Sequence, residues 1–176
     1  MQPQIKAKDI FWALFETNRM IQRKHNRNGD VFDRLPAVLK TIFSVDVFSI
    51  FQFDYEKRRL RLRFLYGQPS NLLDAVNFQL GKGAVRWVID RHKALLIPDA
   101  RRRSLPQHAQ KMVNSFLGVP IIVNGYLIGA VIIGSFVPNS YDKRDQAVLE
   151  LFGSLIGSLL LKHQWIEDKI KMEIRI

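Results

Sequence analysis

Four histidines, a glycine pair and a run of three arginines are the residues best equipped for chemistry. His25, His92, His108 and His163 lie far apart, with no ligand spacing such as H-x-x-x-H, so structural roles suit them better than a metal centre. Gly81-Lys82-Gly83 is too short to wrap a phosphate and reads as a strand-to-helix turn. Arg101, Arg102 and Arg103, close behind Asp99, carry forked donors that match a carboxylate or phosphate, although such a run is also what a solvated loop looks like. The sequence has no cysteine, which removes disulfides, thiolate metal sites and thiol nucleophiles. It shows no nucleophile elbow and no phosphate loop. Recognition, rather than catalysis, is the chemistry these residues suit.

The elements that must position them follow from periodicity. At 176 residues and 47% hydrophobic, the chain can bury one core, which predicts a single domain with helical appendages. Residues 8 to 26 read as a helix with Ile10, Phe11, Leu14, Phe15 and Ile21 on one stripe, and residues 30 to 43 as a second with Val31, Leu35, Val38, Leu39 and Ile42 inward. The period then drops to two. "VDVFSIFQFD" and "RLRLRFLYG" predict a hairpin across "YEKR", in which Arg59, Arg61 and Arg63 share one face while Leu60, Leu62 and Phe64 share the other. "VNFQL" reads as a further short strand, "GKGAVRWVIDRHK" as a short helix and "ALLIP" as a brief strand. From Asp99 to Asn114 the chain is polar and basic, the composition of a binding loop or lid.

No charged residue occurs from Met112 to Tyr141, more than the roughly 20 residues a membrane helix needs. Asn124-Gly125 divides that stretch between two β-branched runs, and Asn-Gly supplies the two positive φ values of a type I′ hairpin, so two buried antiparallel strands are expected instead. Charges scattered through the N-terminal apolar pattern do not match a signal peptide, and a cytoplasmic protein is expected. Beyond the hairpin, Ser140 is placed to cap a long final helix, with Asp142 and Asp145 at the positive end of its dipole. The order of elements predicts an α+β fold.

That final helix carries Leu149, Phe152, Ile156, Leu159, His163, Ile166 and Ile170 in alternating steps of three and four. One account has its first half pack on the sheet while the tail frays. The other has the stripe pair two copies as a stem leading to an effector, and this is the expectation, because a lone amphipathic tail is only marginally helical. The pattern runs to Ile176 without a stop, so a longer natural chain is expected.

"GKGAVRWVIDRHKALLIPDA", "SFLGVPIIVNGYLIGAVIIGSF" and "YDKRDQAVLELFGSLIGSLL", in that order and spacing, resemble the GAF domain family over roughly residues 28 to 164. The resemblance implies a domain at 28–164 between an N-terminal helix at 1–27 and a signalling extension at 165–176. It implies a central antiparallel sheet, with the helices of both chain ends bundled on one face and a small-molecule pocket on the other, and the second strand of the arginine hairpin at a sheet edge, where cations hinder edge-to-edge association. The pocket would be lined by Ser49, Phe51, Val85, Trp87, Ile97, Asp99, Arg101, Ser115 and Leu117, or else be filled by those same side chains as plain core.

Members that bind cyclic nucleotides carry an Asn-Lys pair, a Phe and an Asp-Glu pair. Gly134-Ser135, Tyr141 and Asp145-Gln146 stand there in this chain, which puts such binding in doubt. Covalent bilin attachment and free methionine-R-sulfoxide reductase activity need cysteine and are excluded; the cofactor, if any, is unspecified. The resemblance therefore implies a noncatalytic sensory domain with a small-molecule effector, a homodimer through its terminal helices and a downstream effector domain. A dimerisation scaffold with a filled pocket is the alternative. The net charge of +11 also admits an anionic ligand or nucleic acid, but the cations are spread out with no interleaved aromatic platform.

Overall fold

A computed structural model describes residues 6–22, 31–55, 57, 59–67, 83–102 and 113–174, with only the backbone described at 31, 102 and 165–174. Helix α1 (Ala7–Gln22) turns Ala13, Thr17 and Met20 into the core, and Ile10, Leu14 and Ile21 lean on it. Phe11 and Phe15, expected on that inner stripe, stand outside with Trp12. The predicted second helix is shorter than its pattern. A 3-10 turn (Val31–Arg34) runs into α2 (Leu35–Leu39), with Pro36 in the first turn, where its missing N–H costs nothing. Thr41 and Ile42 then donate to Val38 and Leu39 in tight i→i−3 turns that fold Ile42 and Phe43 inward.

Five antiparallel strands follow: β1 (Val47–Asp54), β2 (Arg59–Tyr66), β3 (Leu95–Ile97), β4 (Ser115–Val123) and β5 (Tyr126–Ser135). Helix α3 (Ala84–Arg91) precedes β3, and α4 (Lys143–Ile174) closes the chain. The sheet order is β2-β1-β5-β4-β3, so the arginine-rich β2 is an edge among the described strands. The "VNFQL" segment lies outside the described residues. Asn124 (φ 52°) and Gly125 (φ 80°) make the turn between β4 and β5, both in the left-handed region a type I′ hairpin requires. At Gly129, β5 comes so close to β1 that a Cβ would sit 1.9 Å from the Phe51 carbonyl oxygen.

The cation comb on β2 departs from simple alternation. Ile50 pairs with Phe64 but Phe51 pairs with Leu62, which leaves Arg63 as the extra residue of a bulge. One inserted residue reverses the parity, so Leu62 and Phe64 lie on opposite faces of the sheet. Arg63 is drawn inward, its guanidinium 4.8 Å from the Phe32 ring centre and its Nη2 3.3 Å from His163 Nδ1.

Helix α4 packs across β4. Leu149, Phe152, Ile156 and Leu159 are buried with Leu117, Val119 and Ile121 of β4, Val131 and Ile133 of β5, and Phe48 and Ile50 of β1. Each such side chain contributes about 1.5–3 kcal/mol on burial. The start of α4 is capped by Asp142, whose Oδ1 accepts the N–H groups of Arg144 (2.7 Å) and Asp145 (3.1 Å), while Asp145 Oδ2 accepts the N–H of Asp142 at 2.7 Å. This reciprocal pair is a capping box built from two aspartates. Ser140, the expected cap, instead donates its hydroxyl to the Val137 carbonyl at 2.7 Å.

Candidate functional site

The second face of the sheet forms a separate apolar cluster. Register sets it: Ser49 lies opposite Ile132 and Phe51 opposite Ala130. Above them α3 lowers Val88 and Ile89, with Val85 beside them, against Phe51, Ala130, Ile132 and Leu127. Of the nine proposed pocket residues, Phe51 and Val85 belong to this cluster, and Ser49 shares their face. Leu117 does not, because alternation along β4 turns it into the core beneath α4, whereas its neighbour Phe116 faces α3. Trp87 lies on the outer surface of α3, and Ile97 is buried at the end of β3. The floor contains small residues, yet Ile132 and Phe116 lean over Gly118, and Val113 leans over Gly134.

Asp99 and Arg101 meet at the 3-10 turn Ala100–Arg102. Asp99 Oδ1 accepts the backbone N–H of Arg101 (3.1 Å) and its Nε–H (2.9 Å), and Oδ2 accepts Nη2–H at 2.9 Å. These bonds and the carboxylate charge hold the Arg101 guanidinium above its ordinary pKa. The side chain of Arg102 and all of Arg103 lie outside the described residues. Ser115 is fully buried, and its hydroxyl touches the backbone at three places, 2.7 Å from the Pro98 carbonyl, 2.8 Å from the Val137 carbonyl and 3.0 Å from the Ser140 nitrogen.

With the sheet order, its two apolar faces and the closing helix placed, comparison with known proteins is decisive on one point. The GAF domain model matches residues 29–160, three quarters of the chain. The chain belongs to the GAF domain family. Among solved structures, this GAF domain is similar to the GAF domain of a phosphoenolpyruvate-protein phosphotransferase (ptsP) from Coxiella burnetii, at 18% identity and TM-score 0.67, covering 93% of this chain and 99% of that one. It is similar to fRMsr of Staphylococcus aureus in complex with substrate, at 15% identity and TM-score 0.67, covering 88% and 97%. It is also similar to the A. aeolicus nlh2 GAF domain in an inactive state, at 18% identity and TM-score 0.64, covering 88% and 98%. No curated protein matches the sequence. Likeness at these identities establishes the fold that the family shares.

Of the stripe expected to pair two copies of this GAF domain, the first five residues pack within one copy. Leu149, Phe152, Ile156 and Leu159 seal the core against β4, and His163 stacks 5.7 Å from Phe32 beside Arg63. The side chains of Ile166 and Ile170 lie outside the described residues. Exposed instead are Phe11 (73%), Trp12 (48%) and Phe15 (59%), an apolar surface of α1, and, on α4, Leu151 (55%). Sequence reasoning missed it because Phe11 and Phe15 also fit the inner stripe of α1, and periodicity does not say which of two adjoining apolar stripes is covered.

Tyr141, at the root of α4, donates to the Ser44 carbonyl at 2.5 Å, and burial, with the Asp46 and Asp145 charges, pushes its phenol far up. Burial likewise raises the Asp145 carboxyl, against the bond from the Asp142 N–H. A depression of about 520 Å³ between Lys93, Ala94 and Ile122 and the first turns of α4 has its polar wall bonded to itself, Lys143 to Gln146 and Gln146 to Glu150. Among the described residues no group of three or more histidines, aspartates or glutamates is placed to hold a metal ion, and no helix is long and apolar enough to cross a membrane.

Proposed function

We propose that this GAF domain is a noncatalytic sensor that binds a small molecule between the α3 face of the sheet and the segment following Asp99, and reports it through α1 and α4 of a homodimer to an effector domain. The observation that carries this reading is the division of labour between the two sheet faces. One is sealed by α4, which runs on to Ile174, and the other is covered, among the described elements, by the eight-residue α3. Structure-switching needs such asymmetry, since a ligand moves an equilibrium only through contacts that differ between two states.

Ser49, Phe51, Val85, Ile97, Asp99 and Arg101 are the proposed ligand-side residues. Asp99 uses the Nε/Nη2 edge of Arg101, which leaves the Nη1 edge for a carboxylate or phosphate. Cyclic nucleotides fit less well, because Ser135 is bonded to Asp46 and Ser44, and Asp145 caps α4. Nucleic acid is disfavoured for a similar reason: several cations are already used within the chain, Arg63 over Phe32, Lys40 on Tyr66, Arg86 on Asp90 and Lys162 on the Ile21 carbonyl.

A scaffold with a filled interior is the competing reading, and it is favoured by the burial of Phe51 and Val88 and by the side chains leaning over Gly118. A thermal-shift screen with nucleotides, amino acids and inorganic anions separates the two. A ligand present at 100 times its Kd adds about 2.7 kcal/mol, and so should raise the melting temperature by roughly 5–10 °C. A flat response across the set leaves the scaffold.

A further inference from the structure

We propose that the Ser115 hydroxyl is a two-position switch that couples the 98–102 turn to the start of α4. The proposal rests on the sensor reading above, in which that turn lies on the input side and α4 is the output. Ser115 Oγ lies 2.7 Å from the Pro98 carbonyl oxygen and 2.8 Å from that of Val137. A hydroxyl has one proton, so it donates to one of these carbonyls at a time. Its lone pairs meanwhile accept the Ser140 N–H at 3.0 Å, two residues before the Asp142 cap.

Neither carbonyl is stranded when the proton leaves it. Pro98 also accepts the Asn139 N–H at 2.6 Å, and Val137 also accepts the Ser140 hydroxyl at 2.7 Å. Because an unmade buried hydrogen bond is the costly outcome and both positions avoid it, the two arrangements lie close in energy. Ser115 is wholly buried, so water does not compete for the site. The two arrangements tie different pieces of chain. Donation to Pro98 fastens the end of β3, from which Asp99 holds Arg101, and donation to Val137 fastens the segment that leads into α4. The Asn114 side chain, donating to the Phe136 carbonyl at 2.5 Å, holds the neighbouring backbone in place, so a displacement at Pro98 is passed to residues 137–140 rather than absorbed around it.

The test needs neither ligand nor dimer, so its failure is distinct from a flat thermal-shift screen. Asp99→Ala frees the turn from one side, and amide hydrogen exchange reads the other. In the otherwise native chain the proton should then pass to the Val137 carbonyl, and exchange over residues 136–146 should slow about three- to ten-fold, the gain of one net hydrogen bond there. In a Ser115→Ala background, Asp99→Ala should add nothing there, and Ser115→Thr should restore the effect. An effect of Asp99→Ala that ends at residue 102, or one equal in both backgrounds, overturns the proposal. If Ser115→Ala does not fold, the carbonyl carbon shifts of Pro98 and Val137 decide instead. With Ser115 intact, Asp99→Ala should move them in opposite directions, and parallel or absent shifts overturn the switch.

Discussion

In the proposed homodimer the exposed face of α1 is the surface assigned to pairing, so replacing Phe11 and Phe15 together by serine should split the dimer without unfolding the domain. Phe11 is 73% and Phe15 59% exposed in the lone chain, so most of each ring is available to a partner. Full burial of a Phe side chain is worth about 1.5–3 kcal/mol. Scaled by exposure, the pair offers about 2–4 kcal/mol per copy, hence about 4–8 kcal/mol across a symmetric interface, or three to six decades in Kd. If only half of that surface meets a partner, about one and a half to three decades remain. Sedimentation velocity from about 1 to 100 μM should show a dimer for the native chain and a monomer for the variant, with monomer melting temperatures within a few degrees. The contrast is Phe152→Ala, a buried ring at the α4–sheet contact, which should cost about 3–5 kcal/mol of stability whatever the oligomeric state. A native chain that stays monomeric at 100 μM, or a variant that dimerises as tightly as the native chain, refutes the assignment of this face.

Gly129→Ala should cost at least about 3 kcal/mol, because its Cβ would stand 1.9 Å from the Phe51 carbonyl and force β1 from β5, whereas Gly125→Asn, whose Cβ meets nothing within 4 Å, should cost under about 1 kcal/mol by denaturant titration. Equal losses would refute the close-approach argument. Asp145 makes the stability depend on pH. Burial raises its folded pKa, so its contribution is full below the ordinary carboxylate value and is lost as pH rises through the raised one. Asp145→Asn keeps an acceptor for the Asp142 N–H but carries no charge, so its advantage in melting temperature over the native chain should grow from about pH 3 to pH 6; an advantage independent of pH excludes the burial effect.

Much of the fold was legible as local chemistry. Asn124-Gly125 could be read as a hairpin because only a few residue types tolerate positive φ, and Gly83, extended at φ −97°, stands at the N-cap of α3 where the helical pattern of "AVRWVIDR" begins. The order of motifs over residues 28 to 164 identified the family that the matched model covers at 29–160. The candidate site was less legible. Phe51 and Val85 do share a face, but Leu117 lies on the other one, Ser115 spends its hydroxyl on backbone, and the bulge at Arg63 broke an alternation that the sequence displays without interruption.

By itself, the sequence determined where each apolar stripe and each turn would fall, since these depend on neighbours three or four residues away. Only the tertiary structure decided which surface each stripe meets. Leu149, Phe152, Ile156 and Leu159 make the same pattern whether they face a second helix or their own sheet, and it was the arrival of β4 that claimed them and left Phe11, Trp12 and Phe15 exposed. Burial depends on long-range competition among faces for a limited core area, and period alone carries no record of which face wins.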